Sequence, residues 1–339
     1  MTDMTVKRKP ILSDDVKPFV IFFILLGFII VVFSIMHEHF LSARNISTLL
    51  KHASISAIFA LGVTFVVVVG HFDLSFPMVC ALAGMTNSFL IAKDIPVVPS
   101  VGIGLAVAVV FGLLNGVAVG KLKLPDIVTT VGIGAIAWGF AYIYSGGAYI
   151  YGNVLTSGIL ELNDAVWFGV PLPAILMGSL YFLGYLTLHR SRYGRCFYSA
   201  GDNKIAAIFS GINVQAYIIA AFVICAVLSS FGAIMSNASQ GQGNVRVGLV
   251  FLLSSYASVF LGSAVFKKPT IYGTFLAALF MATMLNGFTL MTVSYFYMDF
   301  IIGIVLITAL CLSSDFFFFK KKKGRHSKDL PDSAVEVKP

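Results

Sequence analysis

Charge is what this sequence has least of. Only 11% of its 339 residues are Asp, Glu, Lys or Arg, and the acids, 15 against 23 bases, are the scarcer sign. Its apolar stretches offer little acid beyond Asp73 and Asp299. Proton-coupled carriers bury several acids, so that mechanism is poorly supported. Cysteine is sparse too. Cys80, Cys196, Cys225 and Cys311 show no paired spacing, which argues against a disulfide framework or a zinc site. No Walker A sequence, Gly-rich nucleotide loop, His-Glu-x-x-His or Gly-x-Ser-x-Gly elbow is present. The connections between apolar stretches leave no room for a soluble catalytic domain. The chain reads as a non-enzyme without metal or cofactor of its own.

What it has instead is apolar length: 58% of the residues are hydrophobic and the mean hydropathy is +0.93. A soluble core cannot use that much apolar sequence, whereas a helical bundle in a bilayer can. Ten stretches are long enough to cross the hydrocarbon layer, at 18–36, 50–69, 74–92, 98–119, 126–145, 166–188, 214–236, 249–266, 269–289 and 294–313. The expected fold is therefore all-α, a polytopic transmembrane bundle spanning residues 18–319 between a polar leader (1–17) and a basic tail (320–339).

The bases orient it. With the first residue inside, nineteen of the 23 fall on the inner side: Lys7, Arg8, Lys9 and Lys17; Lys121 and Lys123; Arg190, Arg192, Arg195 and Lys204; Lys267 and Lys268; Lys320 to Lys323, Arg325, Lys328 and Lys338. Arg44, Lys51, Lys93 and Arg246 remain outside. The positive-inside rule selects this threading, with both ends in the cytoplasm and the bundle in an inner-membrane-type bilayer. Bases in short loops beside spans serve topology and anionic lipid rather than nucleic acid. Residues 19–36 are as long as a full span and lack a small-residue cleavage site, so no signal peptide is read there.

Two loops exceed the rest. The outer one, 146–165, carries Glu161 and Asp164. The inner one, 189–213, holds Gly201-Asp202-Asn203, turn chemistry in which Asp202 or Asn203 suits a helix cap. About two turns of helix follow from Lys204 to Ser210, closed by Gly211. Such a helix either lies at the membrane surface or is a docking element for another protein. A faint repeat also runs through the chain: Gly102, twelve residues, then Asn115-Gly116, and Gly273, twelve residues, then Asn286-Gly287. In the threading the two copies run in opposite directions, as in an inverted-topology repeat; close packing of small residues is the other reading.

Gly70 and Pro77 bracket a break in helical continuity around Asp73. Asp73 and Ser75 either cap the next helix or, with His71, line a cavity beside a broken helix. Aromatic residues gather after Trp138, with Tyr142, Tyr144, Tyr149 and Tyr151 at an outer end; an interfacial belt or a stacking surface for a flat ligand would use them.

These residues resemble the permease subunit of ribose-type bacterial ABC importers, the group that includes xylose, galactose and autoinducer-2 systems. Gly70 to Pro77 sits where that family has Gly-Gly-Ile-Asp-Leu-Ser-Val-Gly. Pro125-Asp126-Ile127-Val128-Thr129-Thr130-Val131-Gly132 matches its Pro-x-x-Val-Thr-Leu-Gly segment, and Gly146-Gly147 follows where expected. Tyr193-Gly194-Arg195, Ala200-Gly201-Asp202-Asn203, Ala206-Ala207 and Ser210-Gly211-Ile212 match its cytoplasmic loop. Tyr272-Gly273-Thr274 and Leu285-Asn286-Gly287 match its C-terminal landmarks. The matches keep their order from about residue 45 to 310. The chain departs at His71-Phe72, which replaces Gly-Ile, and at Phe76-Pro77, which replaces Val-Gly. It also lacks the acidic pair usual near Leu249 to Ser255, and Lys267-Lys268-Pro269 stands where a Gly-rich turn is common.

The resemblance implies an ATP-driven importer for a monosaccharide or related polyol. A non-sugar ligand such as a nucleoside or vitamin, a standalone secondary carrier and a passive membrane subunit are the alternatives. Two permease subunits, identical or paralogous, would surround one path, and a separate ATP-binding subunit would hold ATP and Mg. A periplasmic or lipid-anchored solute-binding protein would deliver the solute outside. In that scheme Gly194, Arg195, Gly201, Asn203, Ala206, Ala207 and Gly211 couple to the ATPase, and His71, Asp73, Ser75, Thr129, Thr130 and Asn286 belong to the path or its gate.

Overall fold

The computed structural model describes residues 16–323; the remainder of the leader and of the basic tail lies outside the described residues. Among these, each of the ten expected spans is a helix. They are α1 (Lys17–Met36), α2 (Ala43–Val68), α3 (Phe76–Ala92), α4 (Val97–Gly120), α5 (Asp126–Ser145), α7 (Leu172–Tyr185), α10 (Val214–Gln240), α11 (Leu249–Phe266), α12 (Ile271–Leu290) and α13 (Tyr295–Lys323). Short helices fill the two longer loops: α6 (Glu161–Asp164) in one, α8 (Arg192–Asp202) and α9 (Lys204–Phe209) in the other. Eight of the helices are long and apolar enough to cross a membrane, and Phe76–Ala92 and Phe296–Leu312 are shorter apolar helices. The protein is a polytopic helical bundle.

Two helices form its centre. α2 is buried along most of its length, and α10 packs against it. Both carry small and hydroxylated residues, and α2 turns its hydroxyls back on itself: Ser54 donates to the Leu50 carbonyl at 2.6 Å and Thr64 to that of Ala60 at 2.7 Å. This satisfies polar atoms inside an apolar bundle, and the Thr64 hydroxyl also meets that of Thr274 on α12 at 2.9 Å. α4 approaches α10 through Gly112, Gly116 and Gly120, four residues apart. A Cβ at Gly116 would lie 2.7 Å from the Ile219 Cα, so only glycine allows this crossing.

The packing pairs are matched. α3 packs on α4 and α5, as α11 packs on α12 and α13; α4 lies on α10, as α12 lies on α2. The asparagines of the sequence repeat perform related tasks. Asn115 donates to the Ser75 hydroxyl at the start of α3, at 2.7 Å. Asn286 exchanges two amide bonds with Asn45 at the start of α2, at 2.9 and 3.0 Å.

Contacts sort the loops into two ends. At one end meet the 69–75 break, the start of α5, the α8–α9 segment and the α11–α12 turn, where the Tyr198 hydroxyl donates to the Pro269 carbonyl at 2.8 Å. At the other, Asn153 donates to Asp94 at 2.6 Å, Lys51 pairs with Asp164 at 3.0 Å, and Ile150 bridges Gly243. Every loop expected inside lies at the first end.

The sixth span starts later than expected. Residues 166–171 form a small antiparallel hairpin, Val166–Trp167 with Val170–Pro171, because Phe168 and Gly169 turn with φ of 53° and 79°. Helix begins only after Pro171, at Leu172, and ends in a π turn over Leu186–Arg190. The aromatic group divides as well. Trp138 donates inward to the Val245 carbonyl at 3.0 Å and Tyr144 bonds the Thr86 hydroxyl, whereas Tyr149 and Tyr151 are exposed.

Candidate functional site

Helix α2 closes as a glycine-ended helix does. Gly70 adopts φ 76°, its N–H reaches the Val67 carbonyl at 3.0 Å, and the His71 N–H reaches that of Val66 at 3.1 Å. Residues 71–75 then run non-helically until α3 begins at Phe76, with Pro77 in its first turn. In an apolar bundle the backbone groups of such a break need partners. The structure supplies them from two other helices, α5 and α11, and from the loop itself.

Tyr256 of α11 serves both backbone groups of Asp73: its hydroxyl accepts from the N–H and donates to the carbonyl, each at 2.9 Å. Thr130 of α5 accepts the Leu74 N–H at 3.1 Å. Asp126, the first residue of α5, accepts the Phe72 N–H at 3.0 Å. The Asp73 carboxylate is buried and turned onto its own loop, where it accepts the Ser75 N–H at 2.8 Å and the Ser75 hydroxyl. Ser75 also receives Asn115 of α4.

His71 faces the other way. Its Nδ1 lies 3.1 Å from Asp126 Oδ2 and its Nε2 lies 2.9 Å from the Lys204 ammonium. An ammonium only donates, so Nε2 accepts and the neutral ring carries its proton on Nδ1, donated to Asp126. Burial, then the Lys204 charge, lower the His71 pKa against the opposing pull of Asp126.

Lys204 opens α9. Ser191 caps α8, accepting the N–H groups of Tyr193 and Gly194 at 3.0 and 3.3 Å. Of the two possible caps for α9, it is Asn203 that serves, accepting the Ala206 N–H at 3.0 Å; Asp202 is the last residue of α8. Gly211 follows with φ 76°, a backbone state that costs a side-chain-bearing residue strain.

Gly194 and Gly201 lie inside α8, and both are packing glycines. A Cβ at Gly194 would collide with the Leu188 carbonyl, and one at Gly201 with that of Val68. Gly201 also lies against Gly70, whose own Cβ would sit 3.6 Å from the Gly201 Cα. Ala207 is buried, while Arg195 and Ala206 are exposed. Ile205, Ile208 and Phe209 of α9 stand 69%, 61% and 88% exposed.

Five of the six residues expected at the path or gate therefore gather at the break: His71, Asp73, Ser75, Thr130 and, one step round α5, the half-exposed Thr129. Asn286 does not. It pairs with Asn45 at the opposite end of the bundle, where the α2 start and the α12 end meet. Three partners of the break were absent from the sequence-based set. Asp126 after Pro125 has the position of a first-turn helix acid, a weak signal. Lys204 is one loop base among several, and Tyr256 is an aromatic residue in an apolar span, with nothing to mark it.

Residues 45–310 match the family described as branched-chain amino acid transport system / permease component. The ribose import permease protein RbsC of Escherichia coli (strain K12) is 28% identical over 295 residues, 84% of this chain and 90% of that protein. The D-allose transport system permease protein AlsC of the same organism is 28% identical, covering 86% of this chain and 90% of that protein. The autoinducer 2 import system permease protein LsrC of Enterobacter sp. (strain 638) is 27% identical, covering 82% and 81%. No solved structure matches. The chain belongs to this family of membrane permease components, and within it to the ribose-type ABC permeases.

Proposed function

We propose that this chain is the translocating subunit of an ATP-driven importer for a small uncharged polyol of the monosaccharide class. The bundle alternates its access when a separate ATP-binding subunit, which holds ATP and Mg, closes on nucleotide. The basic end faces the cytoplasm of a bacterial cell and meets that ATPase. The opposite end receives a periplasmic or lipid-anchored solute-binding protein. A second permease, identical or paralogous, completes the path, and membrane lipid covers the rest of the exposed apolar surface.

The observation that carries this reading is α9. A six-residue helix with its cap in place holds three large apolar side chains out at the basic end, while its first residue is tied into the helix break. An uncharged solute is supported by the interior: apart from Asp73, the buried polar groups among the described residues are the side chains of Asn, Ser and Thr and the hydroxyls of Tyr181 and Tyr256, and Asp73 is engaged within its own loop. Amides and hydroxyls recognise a polyol without the cost of burying charge. The named relatives are permease proteins for ribose import, D-allose transport and autoinducer 2 import.

The test is to purify the tagged chain from gently solubilised native membranes and identify its companions by mass. A near-stoichiometric ATPase is the expected result. A chain that comes out alone, and still drives uptake after ATP depletion, would establish a secondary carrier instead.

A further inference from the structure

We propose that Lys204, His71 and Asp126 form a rigid three-residue link that carries the movement of α9 into α5, making His71 a positioning residue for coupled transport. The inference rests on α9 being the element that the ATPase moves.

Two points of contact join α9 and its neighbour α8 to the break. Gly201 lies against Gly70, and the Lys204 ammonium donates to His71 Nε2 at 2.9 Å. Two more join the break to α5: Asp126 takes the His71 Nδ1 proton and the Phe72 N–H on the same oxygen, at 3.1 and 3.0 Å, and Thr130 takes the Leu74 N–H. α5 is pressed on this segment, since a Cβ at Gly134 would lie 3.1 Å from the Ser75 Cα. The break is thus held between the element exposed at the basic end and one of the long spans.

The imidazole suits this work because it is planar and short, with one donor and one acceptor at fixed separation. A neutral ring between an ammonium and a carboxylate uses both nitrogens, and neither charge loses its partner. The groups facing it are Lys204 from α9, Asp126 from α5 and the Phe222 ring of α10, whose centroid is 6.3 Å away. Packing against Phe222 limits how far the ring swings when Lys204 moves. In the ribose-type motif the same position is glycine, which offers no such bond. The link therefore belongs to this chain's departure from the pattern.

Amide hydrogen exchange on the full chain with its ATPase, in lipid nanodiscs, tests the link. Exchange is compared without nucleotide and with ATP plus vanadate, over residues 204–213 and 126–132. In the unaltered complex nucleotide is expected to change exchange in both segments. In His71→Ala the change at 204–213 persists, while that at 126–132 falls about fivefold, the low end of a site-to-site coupling. Lys204→Met, at an exposed position, does the same without risk to folding, and Lys204→Arg restores the response by restoring a donor. A structural role alone would alter exchange equally in both nucleotide states. An undiminished response at 126–132 in His71→Ala and Lys204→Met overturns the link. Absence of any change at 204–213 in the unaltered complex overturns the docking of α9 instead.

Discussion

Burial and the Lys204 ammonium both oppose a charge on His71, and only Asp126 favours one. Its folded-state pKa therefore lies below the ordinary value of about 6.5. The sign of the linkage follows. As pH falls through about 6.5 the unfolded chain binds a proton that the folded chain resists, so this residue makes stability decline on acidification and level off below its folded pKa. Thermal unfolding of the purified protein between pH 7.5 and 5.5 measures it. His71→Asn is expected to show a smaller drop than the unaltered chain, because an amide in place of Nδ1 still reaches Asp126 and does not titrate. Equal drops would mean that Asp126 cancels the effect of burial and Lys204, and a larger drop in the variant would mean that it holds His71 charged when folded.

Among the elements, the α8–α9 segment shows best what the sequence discloses. Asn203, Lys204 and Gly211 carry local chemistry, cap, helix and left-handed stop, and so α9 was legible. α8 was not. Gly201 read as a turn former and Gly194 only as a motif match, because the reason for glycine there is the nearness of the Val68 and Leu188 carbonyls, and tertiary approach leaves no mark on neighbouring residues. The same holds for Tyr256, whose value to Asp73 comes from a contact 183 residues away in sequence. The exposed side of α9 decides between a docking element and a helix resting on lipid. Phe209→Ser is expected to leave insertion and stability within about 0.5 kcal/mol, as exposed positions do. If α9 docks, losing an aromatic anchor costs about 2 kcal/mol or more, about thirty-fold in affinity for the ATPase. Co-purification after a stringent wash reads the difference. Undiminished retention of the ATPase would place Phe209 against lipid.

At the scale of the whole molecule, ten hydrophobic stretches and the distribution of bases were enough to outline the bundle and to sort its loops. Apolar length and the cost of charge in a bilayer are properties each segment carries alone. The placing of Asn286 was not of that kind: its spacing repeats that of Asn115, but the partner of each is set by which helix starts nearby. The sorted ends make the orientation testable. Lys121, Lys123, Arg190, Arg192, Arg195, Lys204, Lys267 and Lys268 are all exposed, and the contacts of their loops join them at one end. Among the described residues, Arg44, Lys51, Lys93 and Arg246 belong to the other. Thr156 is exposed at that second end and Lys268 at the first. With Cys196 and Cys311 replaced by serine, Thr156→Cys in intact cells should react with a membrane-impermeant maleimide. Lys268→Cys should react only once the membrane is opened. The reverse pattern would turn the bundle over and move the ATPase-facing surface to the other end. Labelling of both in intact cells would mean that the two ends are not separated by a bilayer. The asymmetry of charge makes the first outcome the one the physics favours, because each base carried outward adds to the cost of insertion and the inward threading leaves only four to carry.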